Sequence, residues 1–466
     1  MNDACPGCRA AKVRIAEVEA RVLQLEGVVR DLLDQISRLQ GKPPASRPHV
    51  SQPPAPAKKS TGRTPGGQPG HPPHLKQLMP VDRLKDIIRH LPSQCRACQA
   101  ELPVEAGPND PPPARHQIAE LPSMAAEIVE HQGHYRTCPE CGEITHQAIP
   151  AAIRARSVGP RLTGFFAYLA GCHGMSKRAI EEVSASVLEA PVSPGTISNL
   201  EQETSAALAV PHQEVREAIA AAAVKHADET GWKLKGKKRW LWVAATRTLA
   251  LFVIHAKRSL DALVWMVGAK FVGVLCSDRW MVYDEWPAIR RQVCWAHLNR
   301  NWEQHQERGG AAKKLADEWF AISSKVFDLW HAFRGGGLTR TELGDRMADR
   351  LMEAADLLDR GTRSRDPKLT RFCTRLAKMQ QSMWTFVVEP GVEPTNNHAE
   401  RTLRRAVLWR KRSFGCSSDG GCRFVERILT AVQTLRLQKR PVLAYLQAAI
   451  AAHREGASTP SLIQTG

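Results

Sequence analysis

The chain of 466 residues has no apolar run able to cross a bilayer. Its longest, residues 218–224, is about seven residues against the roughly 18 that a span requires. No charged-then-apolar leader stands at the start, which points away from secretion and toward the cytoplasm. Acidic residues are in deficit, 47 against 65 Lys and Arg, for a formal net charge of +18. Such an excess suits a polyanionic partner, DNA or RNA first, although solubility alone also accounts for many basic proteins. The length exceeds what one compact core holds, so several domains are expected.

Proline is absent from residues 15–39, where Ile15, Val18, Val22, Leu25, Val29, Leu32, Ile36 and Leu39 step by three and four. β-Branched residues at a and Leu at d favour a parallel two-stranded coiled coil over residues 1–40, and hence a homo-oligomer; a single packed amphipathic helix is the alternative. Acidic residues are absent from 41–81, where ten prolines lie between Pro43 and Pro73. Residues 41–90 therefore form a basic Pro/Gly-rich linker. Its 62–71 stretch either rests on DNA phosphates or is a plain tether.

Cysteine is not scarce: there are twelve, and half fall in the C-x-x-C pairs Cys5/Cys8, Cys95/Cys98 and Cys138/Cys141. In a cytosolic protein such pairs are metal ligands or redox sites rather than staples. Cys95, Cys98, Cys138 and Cys141 together supply a tetrahedral structural Zn²⁺ site in a zinc-binding domain over 91–150, with strands at 116–121 and 126–131 bringing the knuckles together. Cys5 and Cys8 read as free thiols or as a metal pair shared across a dimer. Residues 155–210 read as helices. Ser193 suits an N-cap and Pro194 a first helical position, and Thr196, Ser198 and Asn199 near the start of the last helix fit a helix-turn-helix that contacts DNA. A helix pair that only packs a core has the same pattern.

From Val224 the pattern changes. A short strand is expected to end at Asp228, followed by an antiparallel pair at 239–246 and 249–255. A strand over 271–278 ends at Asp278, and another at 292–295 precedes a helix. Three adjacent strands followed by parallel strands alternating with helices match a ribonuclease-H-like mixed sheet. Aspartates at neighbouring strand ends, joined by a carboxylate from a later helix at Glu400, would hold the two divalent ions used in phosphodiester displacement. Mg²⁺ takes oxygen ligands and keeps several waters, so a few carboxylates suffice. Glu229, Asp261, Asp284 and Glu285 are rival acids, and a strand-end aspartate is often a turn cap. Between Glu400 and Arg440 lie eleven basic and three acidic residues, the surface a DNA strand would require. Arg404, Arg405, Arg410 and Lys411 are the candidate phosphate contacts, with solvated surface charge as the alternative.

The strings Asp228-Glu-Thr-Gly-Trp, Trp240-Leu-Trp-Val, Ser277-Asp278, Cys294-Trp-Ala-His297-Leu and Pro394-Thr-Asn-Asn-His-Ala-Glu400-Arg make the chain resemble the insertion sequence 66 transposase family of the DDE superfamily. The N-terminal order of segments agrees, so the resemblance covers nearly the whole chain. It implies a catalytic triad of Asp228, Asp278 and Glu400, a ribonuclease-H-like domain over 220–455 with a helical insertion at about 300–386, and Mg²⁺ or Mn²⁺ as cofactor. It further implies a DNA transposase, nucleoid-associated through its DNA, that cleaves and joins strands at the ends of an insertion sequence, with accessory proteins of the same element as possible partners. Cys294 and His297 match a C-x-x-H pattern that recurs downstream of the second aspartate, for packing or for DNA contact. One departure stands out: Arg279-Trp280 follows Asp278 where Gly or Asp and then Tyr are expected. The sum is a multidomain α+β chain. The alternatives are a DNA-binding accessory protein or regulator with an inactive transposase-derived domain, and a zinc-ribbon, coiled-coil transcription regulator, which leaves 220–440 unexplained.

Overall fold

The structure is a computed structural model and describes residues 78–108, 110–270 and 272–464. The expected coiled coil of 1–40, the 62–71 stretch and the Cys5/Cys8 pair lie outside the described residues. The chain divides into two units, 1–121 and 122–466, and each is described by itself.

In the first unit Cys95 opens a tight turn. Its amide donates to the Ala100 carbonyl (2.8 Å), and Gln99, at a φ of 62°, donates back to the Cys95 carbonyl (3.0 Å). In the second unit strands β1 (Tyr135–Thr137) and β2 (Ile144–His146) pair antiparallel around the other cysteine turn. There the Cys138 amide donates to Glu143 (2.8 Å) and Gly142, at a φ of 72°, donates to Cys138 (2.9 Å). The strands expected at 116–121 and 126–131 do not form. Ile118 and Ile128 are at least four-fifths exposed, so the alternating apolar residues have no face to pack on, and alternation alone does not stabilise an unpaired strand.

The short helix α1 (Ala151–Arg154) leads to α2 (Pro160–His173), α3 (Lys177–Ser186), α4 (Pro194–Ala207) and α5 (Ala209–Ala221). Ser176 and Ser193 cap α3 and α4 through their side chains, accepting from the amides of Ala179 and Thr196. The helices share one core with the sheet that follows: Phe166, Ile180 and Ile197 cluster with Trp242, Leu251 and Ile428.

That sheet holds β3 (Val224–Leu234), β4 (Lys237–Ala245), β5 (Ala250–His255), β6 (Val274–Ser277) and β7 (Arg291–Val293), in the order β5-β4-β3-β6-β7. The first three strands are antiparallel and the last two run parallel to β3. α6 (Leu260–Val267) joins the two halves. β3 corrects one expectation: Asp228 is not its last residue. Parallel pairing with β6 ends at His226, but antiparallel pairing with β4 continues to Leu234, because Trp232 and Leu234 alternate inward and are buried.

Between β7 and the last sheet-covering helices stand α7 (Trp295–Gln306), α8 (Gly310–Arg334), α9 (Arg340–Thr362), α10 (Pro367–Lys378) and the short α11 (Gln380–Met383) and α12 (Thr385–Val388). A capping box of Thr339 and Glu342 starts α9. The helices surround an aromatic stack: Trp319 lies between Trp295 (5.1 Å) and Trp302 (5.4 Å), with Trp384 edge-on to Trp295 (5.0 Å).

Three helices finish the chain: α13 (Asn397–Ser413), α14 (Asp419–Leu437) and α15 (Val442–Glu455). α14 covers the open edge of β5. The amides of Ile254, Phe252 and Ala250 donate to Glu426 (2.6 Å), Thr430 (2.9 Å) and Thr434 (3.0 Å). Two-residue steps along a strand, ~6.6 Å, match four-residue steps along a helix, ~6 Å, so one helix face satisfies a whole strand edge. Where α2 meets α14, Gly171 permits the approach: a Cβ there would lie 2.4 Å from Ile428.

Trp319→Ala should destabilise the protein by ~3–5 kcal/mol, the usual cost of emptying an aromatic site in a closed core. Urea unfolding checks this; a loss under about 1 kcal/mol would show that the inserted helices do not depend on the stack.

Candidate active site

Side chains on β3 alternate between its faces. Asp228 pairs across to Val243 and Glu229 to Trp242. Val243 clusters with Ala399 and Leu403 of α13, whereas Trp242 belongs to the cluster on the opposite face. Asp228 therefore faces the helix that carries Glu400, and Glu229 faces away. On the other side the β3–β6 register closes at His226 and Cys276. Asp228 and Asp278 each stand two residues beyond that pair, side by side where the strands part.

Glu400 is brought to the same place by a clamp on the residues before α13. The Trp295 amide donates to the Pro394 carbonyl (2.9 Å) and the Asn396 amide to Cys294 Sγ (3.1 Å). Asn396 Nδ2 donates to the Ala227 carbonyl (2.8 Å), so its Oδ1 is left to accept from His226 Nδ1 (3.1 Å). Burial lowers the His226 ring to about 4, so the ring is neutral and this bond fixes its tautomer. Behind the clamp, Gln292 Nε2 and Trp295 Nε1 donate to Met383, and the Thr385 hydroxyl donates to Arg291 (2.6 Å). The end of the helical insertion is thus tied to β7, and Glu400 follows one helical turn after Asn396.

The electrostatics of the three carboxylates differ. Burial, then the charges of Glu229, Asp278 and Glu400, push the Asp228 carboxyl up to about 8, opposed only by the Glu229 amide on its Oδ1 (2.9 Å). Among the described residues no basic side chain pairs with Asp228 or Asp278. Asp278 is held through Oδ1 by the Trp280 amide (2.9 Å). Glu400 pairs with Arg300 (3.1 Å) and lies 3.3 Å from His297 Nδ1. Glu229, the adjacent rival, is spoken for: Arg258 and the Tyr283 hydroxyl hold its two oxygens. Burial raises it as well, with Tyr283 and Arg258 pulling the other way.

The remaining candidates divide. Arg405 donates to the Cys172 carbonyl (2.7 Å) and Arg410 to Thr230 and Gly231 (both 2.8 Å), so both tie α13 into the fold. Arg404 and Lys411 are exposed. Thr196 bonds the Ser193 cap, Ser198 accepts from Lys177 (2.7 Å), and Asn199 is exposed. At the cysteine turns the amides of Cys98 and Ala97 hold the Cys95 thiol below its ordinary value, and those of Cys141 and Glu140 do the same for Cys138. Sequence reasoning missed His226, Arg300 and the Glu229–Tyr283–Arg258 cluster. His226 was within reach, since a residue two before Asp228 on a strand shares its face; Arg300 gave no local signal.

A family model described as "Transposase IS66 family" matches residues 156–423, more than half of the chain. The chain belongs to that family. The stretch shared with the IS66 family contains Asp228, Asp278, Cys294, His297 and Glu400, and it begins after both cysteine turns. The chain is also 22% identical over 227 residues to uncharacterized protein y4qI of Sinorhizobium fredii (strain NBRC 101917 / NGR234). That match covers 44% of this chain and 41% of the relative, so the chain spans less than half of that protein's length.

A carboxyl raised from 3.8 to about 8 in the folded state supports folding at low pH, and that support is lost as pH rises through the folded value. In chelator, the unfolding free energy of Asp228→Asn, measured by urea denaturation, should exceed that of wild type by a margin that widens from about pH 5 to about pH 8, by at most ~1.4 kcal/mol per pH unit. A margin independent of pH would place Asp228 in water-like surroundings.

Proposed function

We propose that this chain is a DNA transposase whose ribonuclease-H-like domain cleaves and joins DNA strands with Asp228, Asp278 and Glu400. The observation that carries the proposal is the half-buried Asp228 carboxyl, without a basic partner among the described residues and raised by the charges of two other carboxylates from distant parts of the chain. Half-buried carboxylates gathered without a basic partner between the two aspartates are offset by cations. Its hard oxygen donors fit Mg²⁺ or Mn²⁺, and membership of the IS66 family and a sheet of three antiparallel then two parallel strands support the same conclusion. When bound, such ions supply charge stabilisation at the attacking and leaving oxygens of an in-line displacement at phosphorus.

The chain's own residues do the positioning. Asn396, fixed by His226 and Cys294, sets the start of α13 and so the place of Glu400. Tyr283 and Arg258 hold both oxygens of Glu229 on the opposite face of β3, away from the cluster. Arg404 and Lys411, exposed on α13, are suited to phosphate contact, and Thr196, Ser198 and Asn199 at the start of α4 to a groove. Each cysteine turn offers a thiolate pair suited to structural Zn²⁺. Water opens the phosphodiester at each end of the element, and the freed 3′-hydroxyl attacks target DNA. The segment 1–40 serves self-association, and the DNA places the protein at the nucleoid.

Asp278→Asn and Glu400→Gln should each lower Mg²⁺-supported cleavage of end DNA by about a thousandfold, equivalent to ~4 kcal/mol. Binding of the same DNA should stay within about threefold. Cleavage at the wild-type rate by either variant would remove that carboxylate from the chemistry.

A further inference from the structure

Cys294, His297 and Glu400 form a second cluster, chemically unlike the first. Their ligand atoms all lie within 4.8 Å of one another. Cys294 stands at the N-cap position of α7 and His297 one turn on, so both side chains meet on one side of the helix start. His297 Nδ1 is buried and makes no hydrogen bond, although Glu400 Oε1 is 3.3 Å away. Cys294 Sγ accepts the Asn396 amide (3.1 Å), a contact compatible with a metal-bound thiolate. Mere packing would leave the imidazole nitrogen as an uncompensated buried polar atom.

We propose that Cys294, His297 and Glu400 bind a borderline-soft divalent cation, Zn²⁺ above all, at a site that shares Glu400 with the carboxylate cluster. Sulfur, imidazole nitrogen and carboxylate oxygen are the zinc donor set, and three protein ligands leave a fourth position for water. Tetrahedral zinc spaces such atoms about 3.3–3.8 Å apart, within reach by side-chain rotation. On binding, Cys294 gives its thiol proton to solvent, and Glu400 exchanges Arg300 for the metal. Mg²⁺ has no use for sulfur or imidazole, so the two clusters select different ions. Because Glu400 belongs to both, filling the soft site withdraws it from the hard one; this consequence rests on the role proposed for Glu400 above.

Zn²⁺ counting on the purified full-length chain tests the site without any cleavage assay. Wild type should hold one more equivalent than His297→Gln or Cys294→Ser, and Asp228→Asn should hold as many as wild type. Equal counts in wild type and His297→Gln overturn the site, and His297→Gln decides alone if Cys294→Ser does not fold. Loss of the equivalent in Asp228→Asn also overturns it, since the ion would then sit among the carboxylates. Excess Mg²⁺ should weaken Zn²⁺ binding at least tenfold in wild type and not in Asp228→Asn; no such competition refutes the sharing of Glu400. The count stands even if the chain cleaves no DNA, so the two proposals fail separately.

Discussion

A carboxylate buried without a cation partner carries a large desolvation cost, and like charges beside it add to that cost. Asp228 is half-buried and bears that cost in part, with Glu229 next in sequence, Asp278 across the neighbouring strand and Glu400 on the covering helix. The surrounding structure manages the repulsion by separating the acids into two sets. Strand alternation sends Glu229 to the far face, where Arg258 and Tyr283 hold it. Of the others, Glu400 pairs with the exposed Arg300, and among the described residues Asp228 and Asp278 have no basic partner. A fold needing only stability would not leave the inner two unpaired, since apolar residues in their place would cost less. Cations among the oxygens, as proposed above, would offset that cost.

Holding α13 against this repulsion takes contacts along its length. Asn396 anchors the start, Ala399, Leu403 and Ala406 pack on Trp232 and Leu241, and Arg405, Arg410 and Arg412 donate to α2 and β3. The basic character of the helix therefore serves two ends: the inward arginines replace hydrogen bonds that the strand and helix termini lack, and the outward ones keep their charge in solvent. α14 does similar work on the next strand, where Thr430 and Thr434, polar yet fully buried, close an edge that would otherwise invite pairing with another chain.

Much of this was legible in the sequence because it depends on local rules. The Ser193-Pro194 start of α4, the strand pairs after Val224 and the helical setting of Glu400 follow from caps, alternation and helix periodicity. The misses come from non-local contacts. Asp228 reads from its own segment as the last residue of a short strand; the parallel pairing does stop near it, but β4 gives β3 a partner on its other side. The alternating residues of 116–121 and 126–131 had the right pattern and no neighbour. Net charge marked the arginines of α13 as a group; only tertiary contacts separate Arg405 and Arg410, which bind backbone, from Arg404 and Lys411, which do not. The coiled-coil pattern of 1–40 lies outside the described residues.

The Arg279-Trp280 departure leaves the orientation of Asp278 in place. Asp278 is oriented by the backbone amide of residue 280, a contact that any side chain but proline leaves in place. Trp280 itself packs against Trp242 and Tyr283 (both 5.8 Å) and lies under the Arg258 guanidinium at 3.8 Å. It thus helps hold the arginine that binds Glu229. Arg279 turns outward to Asn301 (2.6 Å) and the Phe372 ring, fastening the second aspartate's loop to the inserted helices. In the proposed site the unusual pair lies among the supports, where shape can be met in more than one way, and not among the oxygens, where it cannot.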